Sequence, residues 1–133
     1  MITLDTSGSL ALLDAADPDH AACVEAVARV SGPLIIPALT LAEIGHFVGP
    51  KLSPQSLARF LADLESGAFA LDYGEGDLPR IAELVQRYRD LPLDLADAAV
   101  IACAERSGGV VLTLDLRDFG VVAREGSITL LPG

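Results

Sequence analysis

The stretch DLADAAVIACAERSGGVVLTLD, residues 94–115, decides the architecture. Its first part, 94–106, is apolar on most sides and predicts a buried helix rather than an amphipathic one. Ser107-Gly108-Gly109 ends that helix, and 110–114 is a short apolar run that predicts a strand covered on both faces. The same alternation continues in both directions. Towards the N-terminus, 77–88 places Leu78, Ile81, Leu84 and Val85 at helical spacing, and 69–71 predicts a strand. Ser53-Pro54 opens a helix ending at Gly67, and Thr40 opens one over 40–48 that Gly49-Pro50 closes. A strand over 34–36 comes after a helix that runs from Asp17-Pro18 to Val30 and stops at Ser31-Gly32-Pro33. A short helix over 9–15 and a strand over 2–4 complete that side. Towards the C-terminus, a loop carries the chain from Asp115 to a last edge strand over 128–131. Strands alternating with helices predict an α/β fold: an α/β/α sandwich around a mostly parallel central sheet. No repeat, linker or low-complexity segment divides the chain, so residues 1–133 are expected to form a single domain.

Composition agrees. A hydrophobic fraction of 51%, no Trp and 5% aromatics suit helices packed on a buried sheet better than a β-sandwich. Nine basic against nineteen acidic side chains leave a net charge of −10. Such a surface repels phosphate at long range and excludes broad coating of nucleic acid. Nucleic-acid chemistry would need a local site, a bound cation or a few well-placed arginines. Cys23 and Cys103 lie far apart in apolar stretches and read as buried thiols of a reducing compartment. The first residues carry no signal-peptide pattern, and no apolar run reaches membrane-spanning length. A soluble, cytoplasmic protein with no membrane partner is expected.

Ligand sites in open α/β sheets lie beyond the carboxyl ends of the strands. Four acids fall there: Asp5 after the first strand, Asp115 after 110–114, Glu43 in the first turn of the helix after 34–36, and Asp97 in the first turn of the helix before 110–114. Carboxylates brought that close repel one another unless a cation joins them, and oxygen-only donors suit Mg2+ or Mn2+. Such an ion activates water and neutralises phosphodiester charge. Each acid also has a purely structural explanation. Thr40 with Glu43, and Asp94 with Asp97, match capping boxes, while Asp5 and Asp115 can cap the segments after them.

Four motifs carry a family resemblance: ITLDTS (2–7), LTLAE (39–43), LADAAVIA (95–102) and LTLDLRDF (112–119). In order and spacing they resemble PIN-domain ribonucleases, above all the VapC-like toxins of toxin–antitoxin pairs. The resemblance implies that Asp5, Glu43, Asp97 and Asp115 form the catalytic, metal-binding quartet, with Thr6 or Thr113 as polar supporter. It implies an endoribonuclease using Mg2+ or Mn2+, an RNA substrate, a homodimer, and a cognate antitoxin that blocks the site.

Around the quartet, Asp94 reads first as a helix cap, and Asp118 as a loop acid that can approach the metal through water. His46, one turn beyond Glu43, reads as an ordinary helix residue rather than a ligand. Arg117 and Arg124, placed in the loop after Asp115, are the candidates for holding RNA phosphate, with a solvated loop charge as the alternative. Arg87 is set aside because Glu83, four residues earlier, offers it a helical ion pair. Leu10, Leu12, Leu13, Leu57, Phe60 and Leu61 serve the core or, alternatively, a dimer or antitoxin surface. Two rivals share the acid pattern: a PIN fold that binds without cutting, and a receiver-type signalling domain. The latter needs a lysine near the end of a late strand, where this chain's single lysine, Lys51, does not fall. A phosphatase of the haloacid-dehalogenase type needs a second aspartate where Ser7 stands.

Overall fold

The computed structural model describes residues 1–51, 53–91 and 93–133, and for 48–51 the backbone alone. Five strands form one sheet: β1 (Ile2–Leu4), β2 (Leu34–Pro37), β3 (Phe69–Asp72), β4 (Val110–Leu112) and β5 (Thr129–Leu131). Their order is β3-β2-β1-β4-β5, and every pairing is parallel. The sheet is thus wholly, not mostly, parallel among the described strands. The chain winds outward from β1 to β3, then returns to lay β4 against the other side of β1. The switch point therefore falls between the carboxyl ends of β1 and β4, the place where ligands bind in open α/β sheets. This order also removes the receiver reading, whose sheet runs 2-1-3-4-5.

Side chains alternate across the strands and divide the core in two. Ile2, Leu4, Ile36 and Leu112 face α1 (Thr6–Leu13), α2 (His20–Ala28), α3 (Leu41–Lys51) and α4 (Pro54–Ser66). Val111 and Ile128 face α5 (Leu78–Arg87), α6 (Leu95–Arg106) and α7 (Asp118–Arg124). Both free thiols are buried, Cys23 on α2 and Cys103 on α6. Helix α6 is buried from Ala98 to Ala104, as its all-round apolar sequence requires. No described helix is long and apolar enough to cross a membrane.

Several boundaries depart from the sequence-based expectation. Helix α1 starts at Thr6 because the Asp5 carboxylate accepts the Thr6 N–H and caps it. Helix α2 starts at His20, after a turn in which the Asp17 and Asp14 carboxylates accept backbone N–H groups. A 3-10 turn, Ala38–Thr40, precedes α3, and α3 continues through Gly49-Pro50 to end at Lys51, shortly before α4. Strand β4 stops at Leu112, and α7 replaces the loop expected after Asp115.

Gly8 lets α1 approach the sheet. A Cβ there would stand 2.3 Å from the backbone oxygen of Leu112. Alanine would gain about 1 kcal/mol in helix propensity, but overpacking against a backbone costs roughly 1–3 kcal/mol or more. Gly8→Ala is expected to destabilise the protein, seen as a lower urea midpoint at unchanged slope.

Candidate metal centre

Three segments build the centre at the switch point. Asp5 ends β1 and caps α1, and is almost fully buried. Its Oδ1 accepts the Thr6 N–H at 2.7 Å, and its Oδ2 accepts the hydroxyls of Ser7 and Thr113, each at 2.8 Å. Burial nonetheless pushes its carboxyl above the ordinary range, only partly offset by these hydrogen bonds from Thr113, Ser7 and Thr6. Thr113 comes directly after β4 and is wholly buried. Its hydroxyl accepts the Asp115 N–H at 3.0 Å, which places Asp115 beside Asp5.

Asp97 comes from α6. Asp94 caps that helix, its Oδ1 accepting the Asp97 N–H at 2.8 Å. The cap also repels the group it positions. Burial first, then the charges of Asp94, Asp5 and Asp115, push the Asp97 carboxyl up to about 7. Asp97, Asp115 and Asp118 bring carboxylate oxygens within 4.8 Å of one another, all half-buried. Asp118 reaches the group because α7 begins there: its N–H points to Asp115 Oδ1 at 3.3 Å.

Glu43 stands one link away. The Thr6 hydroxyl donates to Glu43 Oε1 at 2.7 Å, so Glu43 joins Asp5 through a single residue. The capping box suggested for it does not form: Thr40 donates its hydroxyl to the Pro37 carbonyl at 2.8 Å, inside the 3-10 turn. Thus the structure brings Asp97, Asp115 and Asp118 into mutual reach, sets Asp5 beside them, and attaches Glu43 through Thr6.

Other expectations resolve individually. His46 is exposed, its ring edge-on to Phe47 at 5.3 Å. Arg117 is largely exposed, with its Nε 3.3 Å from Asp118 and its Nη2 3.4 Å from the Leu91 carbonyl. Arg124 does not share a loop with it, since α7 puts Arg124 a full helix away from Asp118. A signal for α7 is present in the sequence: Asp118 in a first turn, Phe119 and Val122 three apart and buried, and Arg124 in the last turn. Arg87 pairs with Glu125 at 2.9 Å, not with Glu83, which Arg80 takes at 3.1 Å. Phe60 is buried, Leu10, Leu12, Leu13 and Leu57 pack on the core, and Leu61 alone of those six is exposed. Ser7 is a contributor that the sequence does not single out; it is the polar residue two after Asp5, at the start of α1.

The donor set is all carboxylate, half-buried and electrostatically frustrated. A hard divalent cation fits such a set, because it removes the repulsion that lifts Asp97.

A family model described as PIN domain matches residues 2–125. The chain belongs to the PIN-domain family. Within it the chain is VapC-like: it is 32% identical to Ribonuclease VapC26 of Mycobacterium tuberculosis (strain ATCC 25618 / H37Rv), over 97% of this chain and 98% of that protein. The PIN fold is also shared with solved structures. Mycobacterium tuberculosis VapC20, described as a sarcin-ricin loop cleaving toxin, superposes with a TM-score of 0.78 at 19% identity, covering 92% of this chain and 95% of that one. VapBC2 from Rickettsia felis, bound to a DNA fragment from its promoter, gives 0.69 at 17% identity, covering 98% and 97%. The acids described above thus stand at the carboxyl edge of a PIN-type sheet.

Proposed function

We propose that this protein is a VapC-type endoribonuclease toxin, in which Asp5, Glu43, Asp97 and Asp115 hold Mg2+ or Mn2+ and residues 1–133 act as one nuclease unit. The observation that carries this reading is the convergence of acids from β1, α6 and the segment after β4, with Asp97 held up to about 7 by burial and its neighbours. A bound cation there supplies activation of water and neutralisation of phosphodiester charge. The chain's own residues do the positioning. Thr6 ties Glu43 to Asp5, and Thr113 ties Asp5 to Asp115. Asp118, within reach of both Asp115 and Asp97, would act as a supporting acid that approaches the cation through water. Asp94 caps α6 and keeps Asp97 in place.

RNA would approach against the net charge of −10, so capture falls to local cations. Arg117, beside Asp118, is the group for a phosphate flanking the scissile one; Arg124, at the far end of α7, is a weaker second. Arg117→Ala is expected to raise the KM for RNA roughly 3–10-fold, the scale of one exposed charge-assisted contact, with little change in Mn2+ affinity. Equal loss of both in steady-state kinetics and calorimetry would make Arg117 a support of the Asp115 loop instead.

The partner expected in a cytoplasmic setting is an antitoxin, and the working form a homodimer. The antitoxin's arginine would meet the acids, since guanidinium pairs well with carboxylates. Purified protein incubated with RNA and Mg2+ or Mn2+ should yield products with a 5′-phosphate and stop when EDTA is added. Ends in 2′,3′-cyclic phosphate would overturn hydrolysis by activated water. Co-purification from the native operon tests the partner: a protein that emerges alone, harmless to RNA and growth when expressed without neighbours, is no toxin.

A further inference from the structure

We propose that Ser7 is a positioning residue for the centre: its hydroxyl locks the Asp5 carboxylate to the backbone that carries Asp115, and so sets the spacing of the two acids. The inference rests on the reading of Asp5 and Asp115 as cation ligands.

Strand β4 ends at Leu112, so the N–H of Leu114 has no place in the β4–β1 ladder. It donates instead to Ser7 Oγ at 2.9 Å. Ser7 Oγ in turn donates its single proton to Asp5 Oδ2 at 2.8 Å. Thr113 repeats the pattern one residue away, accepting the Asp115 N–H at 3.0 Å and donating to the same Oδ2 at 2.8 Å. The two hydroxyls lie 3.3 Å apart, but both protons are spent on Asp5, so neither serves the other. Two successive backbone N–H groups, those of Leu114 and Asp115, are therefore strapped to one oxygen of Asp5 by two hydroxyls.

The lone pairs of Asp5 give this arrangement its consequence. A carboxylate offers about four acceptor positions. Ser7 and Thr113 fill those of Oδ2, and the Thr6 N–H takes one on Oδ1. One position remains, on Oδ1. Without the Ser7 hydroxyl, one position on Oδ2 would open, the carboxylate would keep only Thr113 and the Thr6 N–H, and the Leu114 N–H beside Asp115 would lose its acceptor. Thr113 alone leaves one strap between Asp5 and the segment that carries Asp115, where the protein has two.

The test compares Ser7→Ala, Ser7→Cys and Ser7→Thr in the full chain, titrated with Mn2+ alone by calorimetry. Loss of an oriented supporting group typically weakens metal binding about 10–100-fold, and that loss is expected for Ser7→Ala. Ser7→Thr, which keeps the hydroxyl, should stay within about 3-fold of the parent protein. In RNA cleavage at saturating Mn2+, kcat should fall with Ser7→Ala while KM for RNA stays nearly constant. A merely structural serine would lower the melting temperature and leave Mn2+ affinity and kcat of the folded protein untouched. If Ser7→Ala does not fold, Ser7→Cys, nearly isosteric and a weak hydrogen-bonding group, carries the same expectation. Parental Mn2+ affinity in Ser7→Ala or Ser7→Cys overturns the proposal. A parent protein that neither binds Mn2+ nor cuts RNA overturns the nuclease reading itself, which is a different result.

Discussion

Asp97→Asn is expected to reduce RNA cleavage at saturating Mg2+ by on the order of 100-fold or more, the scale of removing one electrostatic group from a preorganised site. Asp5→Asn and Asp115→Asn should match it. Asparagine keeps the shape and removes the charge, so the helix cap from Asp94 and the hydroxyl straps on Asp5 have the same partners to hold. The loss is one of attraction for a cation at a centre built only from carboxylates. Asp118→Asn should cost less, about 10-fold, because Asp118 is proposed as a supporting acid outside the ligand quartet. Single-turnover cleavage of end-labelled RNA reads all four. Full activity in Asp97→Asn and Asp115→Asn would leave the acids without a catalytic part.

The same substitution should act in the opposite sense on stability when no divalent cation is present. Asp97 in the folded chain holds its proton up to about 7, against an ordinary aspartate value of 3.8. Between those values the folded state binds more protons than the unfolded one, so stability falls as pH rises. The loss is complete above about pH 7, where the folded carboxylate is finally forced to ionise amid burial and three neighbouring acids. Its size is a few kcal/mol, on the order of 2–4. Asp97→Asn removes that penalty, so in EDTA at pH 8 its melting temperature should exceed the parent's by roughly 5–15 °C. At pH 4 the two should nearly coincide. Cation binding stabilises only the folded state, about 2.7 kcal/mol at a hundredfold excess over Kd. Millimolar Mg2+ should therefore raise the parent protein and leave Asp97→Asn little changed, closing or reversing the gap. Scanning calorimetry at pH 4 and 8, with and without Mg2+, decides it. A stability difference between parent and Asp97→Asn that does not widen from pH 4 to pH 8 would place Asp97 in ordinary solvent.

These opposed expectations come from one arrangement, in which a group that weakens the metal-free fold stands where the proposed cation would bind. The sequence alone determined the alternation of strand and helix, because apolar period and Gly/Pro punctuation are local properties. It determined that Asp5 and Asp115 lie past strand ends and that Glu43 and Asp97 lie in first turns, because element boundaries are marked locally, though the capping box read at Glu43 does not form. Residues 115–127 read as a loop in the sequence, since the short period of Phe119 and Val122 competes poorly with the polar residues around it, and α7 corrects that reading. The position of Arg124 changes with it.

Tertiary structure decided the rest. Strand order is a matter of which edges meet, and only that order puts β4 beside β1 and so Asp115 beside Asp5. Membership of the close cluster was decided by α7, which brings Asp118 to Asp115, while Glu43 is linked through Thr6 to Asp5. Arg87 chose Glu125 over its helical neighbour because α5 and α7 end side by side. The role proposed for Ser7 joins a local bond to Asp5 with a contact across 107 residues, to the N–H of Leu114. A serine after Asp-Thr reads locally as one more helix-starting residue. Its hydroxyl acquires a task only when a strand ends early and leaves a backbone donor facing it.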